Sequence, residues 1–436
     1  IPNREYIIKG RLLKIPSNYF PDQPFGSNKR SELTKDEIES SRYVPEIWDG
    51  TFKSTSNAEW SSNPAWVIWD LMTNERYGMG KYGIKESDLD KWSFYEFAKF
   101  CDEEVPVVID GTSATERRHM CNLYIDNQHQ AYDYIKDLMK IYGGKINFSA
   151  GKIYFTADMP SSDSVMLFNN TNVTEDGFSY SSTPETQRIT AVTVDYLDER
   201  DGYILKSEYV EDAGGIKEHG YTHVKIAGIG ITRRGEAHRL CQKKILDKQL
   251  EKELVQFQAG LPASYLRVGD VVDIMDNTKI SNRSGGRILE IVSANKIKID
   301  IPVSAITGAS KIFIQTPVES DDESDTADSS ETESRRSAQF EEYSINGTVD
   351  FEVTLASNLD SSIKQGYTWM VKENLSEDVK PKKYRIKSIR EISPLKYEIV
   401  GMEYVPEKYE QIDASSGSIG ANIDSREYFG PEIIVV

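Results

Sequence analysis

The sequence predicts an α+β, mainly β protein, made of several barrel- or sandwich-like β domains with inserted amphipathic helices. Three observations point there. From Val165 onward most apolar residues fall in short runs bounded by Gly, Asn and Asp. A few stretches instead space them by three and four, as a helix face requires. The 24 Tyr against 15 Phe suit sheets whose aromatic faces are half-buried. With 436 residues the chain exceeds what one core fills, so two to four domains are expected.

The elements follow in order. Residues 1–60 read as an N-terminal β segment with a long polar loop from Pro16 to Tyr43, then Ile47-Trp48-Asp49-Gly50-Thr51-Phe52 as a turn with aromatic flanks. Residues 61–160 read as a helix-rich α/β subdomain. Asn63 can cap a helix with Pro64 at its first position, where a missing N–H costs nothing, and Gly78 and Gly80 close it. A second helix runs from Ser87, through Leu89, Trp92, Tyr95 and Phe100, until Pro106 stops it. Its end, Asp102-Glu103-Glu104, reads as solvated. The third helix, Asn127 to Tyr142, has the clearest apolar face, and a hairpin of Lys145 to Phe148 with Lys152 to Ala157 follows.

Residues 161–262 read as a β domain carrying a strand at Ala191 to Tyr196 and a long amphipathic helix from Arg234 to Lys252. That helix gathers Arg234, Arg239, Lys243, Lys244 and Lys248. They form either a solvated face or a basic stripe docking an acidic neighbour. Residues 263–413 read as a barrel-like domain entered by the turn Arg267-Val268-Gly269-Asp270 and interrupted at about 317–340 by an acidic flexible insert. Residues 414–436, opening on Ser415-Ser416-Gly417-Ser418, read as a linker to a downstream module, and both ends read as cuts in a longer polypeptide.

Composition excludes several functions. A net charge of -18 repels phosphate and argues against a nucleic-acid-binding exterior, though not against an acidic wall past which DNA slides. Cys101, Cys121 and Cys241 are too few and too far apart for a disulfide framework or zinc ribbon, and read as reduced, partly buried thiols. No apolar run is long enough to span a bilayer as a helix. His219 with His223, and His119 with Cys121, lack the further ligands a closed metal site demands. The acidic run has no Gly turn of the kind a calcium loop needs. Gly228-Ile229-Gly230 has Arg233 in place of a third dinucleotide-loop glycine. No catalytic, cofactor-binding or metal residue is therefore assigned, and no enzyme activity is expected.

One stretch is specific. Asn63-Pro64-Ala65-Trp66-Val67-Ile68-Trp69-Asp70-Leu71-Met72-Thr73-Asn74-Glu75-Arg76-Tyr77-Gly78 closely resembles the signature of the tail-tip attachment (host specificity) proteins J of lambda-like siphophages. Further ordered matches are Ile47-Trp48-Asp49-Gly50-Thr51-Phe52, Asp90-Lys91-Trp92, Cys101-Asp102-Glu103, Ala191 to Tyr196, Tyr209 to Asp212, Arg234 to Ala237 and Val268-Gly269-Asp270-Val271-Val272. The signature residues Trp48, Asp49, Gly50, Asn63, Pro64, Trp66, Asp70, Arg76, Tyr77, Gly78, Gly269 and Asp270 are expected to be structural.

The resemblance implies a tail hub: a homotrimeric ring at the distal end of the tail tube, beneath other tail-tip proteins and around the end of the tape-measure protein. Such a ring supports the receptor-binding fibre and gates DNA exit. It passes phage DNA without specific binding and meets the host receptor only through a C-terminal part beyond this chain. It implies residence in the virion after assembly in the host cytoplasm. The alternatives are a virion-associated glycan hydrolase, which needs converging carboxylates in a cleft, and a direct host-surface adhesin, which needs aromatics on exposed loops.

Overall fold

The computed structural model describes residues 9–21, 42–43, 47–54, 58–109, 112–125, 131–149, 151–161, 164–182, 188–276, 285–300, 311–316, 339–371 and 381–416. The acidic insert, the residues beyond 416, His129 and the expected start of the third helix at Asn127 lie outside them. The fold is mostly β, with helices interspersed among its strands.

A short pair, β1 (Leu12–Leu13) and β2 (Glu59–Trp60), leads into helix α1 (Pro64–Thr73). Asn63 caps α1 as its sequence suggests: its side-chain oxygen accepts from the Ala65 N–H at 3.0 Å. The helix stops at Thr73, earlier than the glycines, and Gly78 and Gly80 serve the following turn instead. A Cβ on either would lie 2.3 Å or less from the Leu71 or Thr73 carbonyl oxygen, so the chain folds back onto the helix end only because no side chain intervenes.

Helix α2 (Lys91–Asp102) is capped by Asp90 and ends before Pro106. Pro106 is not its stop signal. It lies within strand β3 (Glu104–Ile109), which pairs only with β4 (Thr112–Arg117), so an edge strand absorbs the missing N–H. Helix α3 (Ala131–Tyr142) and the hairpin β5 (Gly144–Ser149) with β6 (Lys152–Ala157) match their sequence patterns. Together these elements enclose a core rich in Trp, Phe and Tyr.

The rest is two β modules and a small sheet, threaded through one another. Strands β7 (Met166–Asn169) and β8 (Val173–Ser182) open a sheet that the chain leaves at once. It then forms β9 (Ala191–Asp198), β10 (Ile204–Glu211), helix α4 (Ala213–His219) and β11 (His223–Ala227), a three-stranded sheet ordered β10-β9-β11 against which α5 (Arg234–Leu250) packs. Gly230, with φ +85°, turns the chain between β11 and α5, and Gly228 accepts from the Ile231 N–H at 3.0 Å; this is a reverse turn, not a phosphate loop.

Strands β12 (Glu253–Ala259) and β13 (Val271–Met275) return to the first sheet. Next come the six strands of a closed barrel: β14 (Gly285–Ser293), β15 (Lys296–Ile299), β16 (Lys311–Thr316), β17 (Gln339–Val349), β18 (Glu352–Leu355) and β19 (Thr368–Val371), closed in the order β14-β15-β18-β17-β16-β19. Ile288, Ile297, Ile312, Ile314, Val353 and Trp369 fill it. Strands β20 (Lys382–Ser393) and β21 (Lys396–Glu403) then complete the sheet as β7-β13-β20-β21-β12-β8. The barrel is thus inserted between β13 and β20, and the six-stranded sheet draws strands from both sides of residue 262. Helix α6 (Glu407–Ser416) follows, and it includes Ser415 and Ser416, which sequence composition assigned to a flexible connector.

The turn before β13 sets one expectation. Gly269 holds φ +103°, and a Cβ there would sit 1.9 Å from Cγ2 of Thr156, whose hydroxyl is pinned by donating to the Val268 carbonyl at 3.1 Å. Gly269→Ala should cost about 2 kcal/mol from backbone strain and overlap. Urea denaturation reads it, and an unchanged midpoint would refute the account.

Candidate functional site

Ten of the twelve signature residues gather around α1; Gly269 and Asp270 lie at the separate turn against β6. Trp48 and Trp66 are almost wholly buried, their rings 6.5 Å apart, and Trp48 also stacks on Tyr95 at 4.9 Å and meets Trp92 edge-on at 5.1 Å. Trp69 meets Phe94 at 5.1 Å. These contacts make the cluster the centre of the helical core. Its loop, Trp48-Asp49-Gly50-Thr51, is folded by Asp49, which accepts from the Thr51 N–H at 2.8 Å, the Thr51 hydroxyl at 2.7 Å and the Ser17 hydroxyl at 3.0 Å. The Thr51 hydroxyl and N–H, with Ser17, hold the Asp49 carboxyl below its usual range. Gly50 takes φ +77°, and its carbonyl accepts from Lys91 at 2.8 Å.

Beneath the cluster lies a polar knot. Asn63 donates to the Ala98 carbonyl at 2.9 Å and to Asp102 at 2.7 Å, and Asp102 also accepts from the Tyr43 hydroxyl at 2.8 Å. Arg117 stands 3.8 Å from the other Asp102 oxygen. The solvated helix end expected at Asp102 is therefore wrong for this residue, which is buried; Glu103 and Glu104 are exposed. Burial pushes its carboxyl up, against the pull of Arg117 and its hydrogen-bond donors. At the other end of α1, Tyr77 donates to Asp70, Asn74 reaches Asp70 at 3.3 Å, and the Arg76 N–H donates to Asn74 at 3.0 Å. Arg11 lies over the Tyr77 ring at 4.6 Å. The Arg76 side chain faces solvent, and Gly78 is buried against the helix end.

Asp270 accepts from the Arg267 N–H at 2.7 Å, closing the turn before β13. Burial raises its carboxyl to about 6, although part of the residue is solvent-accessible. A carboxyl raised above its unfolded value binds its proton better in the folded state, so this group's contribution is present below the usual range and is lost as pH rises towards 6. Asp270→Asn, which keeps an acceptor and carries no charge, should gain about 1 kcal/mol at neutral pH and lose that dependence. Thermal melts at several pH values check this; an unaltered profile would count against it.

The buried ion pairs were invisible in the sequence. The expectation that the basic residues of α5 form a solvated face or an external docking stripe fails for three of the five. Arg239 is buried on Glu116 at 2.8 Å, Arg234 pairs with Glu208 at 2.8 Å, and Lys243 pairs with Asp158 at 3.0 Å. Lys244 and Lys248 are part-buried. Glu236, in the first turn of α5, accepts from His119 at 3.2 Å and Arg233 at 3.1 Å. Burial lowers His119 to about 4, so it is neutral at physiological pH. His238 meets Glu208 at 2.9 Å, Arg188 meets His219 at 2.6 Å, and His223 meets the Thr193 hydroxyl at 2.8 Å. Each described histidine thus has a protein partner, and among the described residues no group of three or more His, Cys, Asp or Glu is placed to hold a metal ion. The three cysteines are free and buried, and burial raises their thiols, Cys121 to about 12.

The class to which the chain's homologues belong is that of phage tail proteins: a family described as "Putative phage tail protein" matches residues 130–291, from α3 into the first barrel strand. Within that class the resemblance carried by the signature residues holds along the chain. It is 32% identical over 98% of its length to Tip attachment protein J of Escherichia phage SECphi27, and 28% identical over 95% to Tip attachment protein J of Escherichia phage SECphi4. The chain spans about a third of each relative, 32% in both cases. A chain from the virion of a native gene transfer agent particle aligns over 79% of this chain and 48% of its own, at 9% identity and a TM-score of 0.38.

Proposed function

We propose that this chain builds the structural hub of a phage tail tip and performs no bond-breaking chemistry. In this reading three copies form a ring at the distal end of the tail tube. The ring contacts other tail-tip proteins and the end of the tape-measure protein, supports the receptor-binding fibre, and gates DNA exit during attachment and genome ejection. Assembly takes place in the host cytoplasm, and the host receptor is met by another part of the longer protein. The observation that carries the reading is the similarity over 98% of the chain to a tip attachment protein. The burial and pairing of the carboxylates at the signature helix support it, because a hydrolase needs such groups free in a cleft. The twelve signature residues act in this proposal as scaffold: they fix the helical core and the turn before β13.

Imaging the assembled tail tip tests the proposal. Threefold density at the end of the tube that fits this fold is the expected result. An isolated monomer that clears cell-wall suspensions would overturn it. The net charge of -18 adds a narrower expectation, that carboxylates line the inner wall so that DNA passes without sticking. An inner wall richer in Lys and Arg would refute that part.

A further inference from the structure

Helix α6 is fastened in an unusual way. Four of its side chains are buried, and two of these, Lys408 and Ser416, are polar. Lys408 is wholly buried and donates to Asp247 at 2.9 Å, to Asp158 at 3.4 Å and to Glu251. One turn on, Asp413 pairs with Arg118, which also holds Glu103 at 2.8 Å. At the last turn the Ser416 hydroxyl donates to the Pro106 carbonyl of β3 at 2.6 Å and accepts from Arg239 at 3.3 Å. The other two buried side chains, Tyr409 and Ile412, are apolar. Among the described residues, Tyr409 belongs to a satellite cluster with Val271 and Tyr404, and α6 contributes to neither the core of the helical region nor that of the six-stranded sheet.

We propose that α6 is a releasable strap, held across the β3–β4 hairpin and α5 by buried charge pairs and able to open as a unit while both remain folded. Two physical points carry this. Apolar burial is what makes neighbouring elements unfold together, and neither Tyr409 nor Ile412 joins the core of the helical region or that of the six-stranded sheet. Buried ion pairs contribute little net stability after desolvation but fix one geometry, which suits a two-position element. The strap directly follows β21 and pairs with no strand, so its release breaks no strand pairing.

Native-state hydrogen exchange on the whole chain, read by mass spectrometry, tests this. Amides of residues 407–416 should exchange at least about tenfold faster than those of α5 and β21 at neutral pH. The double variant Asp413→Asn, Ser416→Ala should speed exchange about tenfold more, in α6 alone. Protection of α6 equal to that of β21 in the unaltered protein would by itself overturn the proposal. So would a variant that leaves α6 unchanged or speeds all three segments together. Should the variant fail to fold, the unaltered profile decides alone.

Discussion

Lys408→Ala should lower the unfolding free energy by about 3–5 kcal/mol, the cost of leaving a buried charge cluster without one of its partners. Three carboxylates, Asp158, Asp247 and Glu251, meet Lys408, Lys243 and Arg385, and a fourth, more exposed cation, Lys387, stands 4.0 Å from Glu251. Removing Lys408 takes from Asp247 its ion-pair partner and from Asp158 and Glu251 one of theirs, at a site where the lysine itself is wholly buried. Burial already pushes the Glu251 carboxyl up, despite Lys408 beside it; without that lysine it rises further. A folded-state value raised above the unfolded one favours folding as pH falls, so the deficit should shrink from pH about 7.5 to about 5. Lys408→Met, which fills the space of the lysine stem, should recover part of the packing but none of the charge. Urea titrations at both pH values read these effects. A loss under about 1 kcal/mol, or a deficit that grows on acidification, would show that the cluster is open to water.

That cluster also marks where sequence reading stops. Local signals were legible because their cause is local. Asn63 before Pro64 announces a cap, the spacing of Ile135, Leu138 and Ile141 announces a face, and Gly269-Asp270 announces a turn; the structure places each accordingly. The signature block was legible as resemblance, and its aromatic residues prove to be the helical core. What failed was everything decided by distant partners. Lys408 and Asp158 are 250 positions apart, and Arg118 and Asp413 are 295 apart, with nothing in periodicity to pair them. The basic residues of α5 looked like an exposed stripe because charge patterning cannot say which carboxylates lie opposite. Pro106 looked like a helix stop because a sequence does not declare that a strand has an open edge. The β alternation of residues 165–403 identified strands, but the insertion of the barrel between β13 and β20 depends on which strands pair, and alternation carries no register between remote segments.

The same distinction between local and distant partners makes Asn63 the most informative signature residue to change. Its oxygen caps α1, while its nitrogen satisfies Asp102 and the Ala98 carbonyl on α2. Asn63→Ala removes both roles. The cap is worth about 1 kcal/mol, and two buried acceptors losing a donor add about 1–3 kcal/mol, for a total near 3. Asn63→Asp separates the roles: it keeps the cap oxygen but sets a second carboxylate within hydrogen-bond distance of a buried Asp102 whose own carboxyl is already raised. Like charges at that spacing cannot both ionise, so one proton must be shared between them. At pH about 7.5 the Asp variant should therefore be no more stable than the Ala variant, despite its intact cap. As pH falls to about 5 it should regain 1–2 kcal/mol beyond any change in the Ala variant, because the bound proton restores a donor between the two oxygens. Denaturation of both variants across this range makes the comparison. Parallel profiles would mean that Asn63 acts through its cap alone and that the contact between α1 and α2 at Asp102 is not what fixes the signature helix in place.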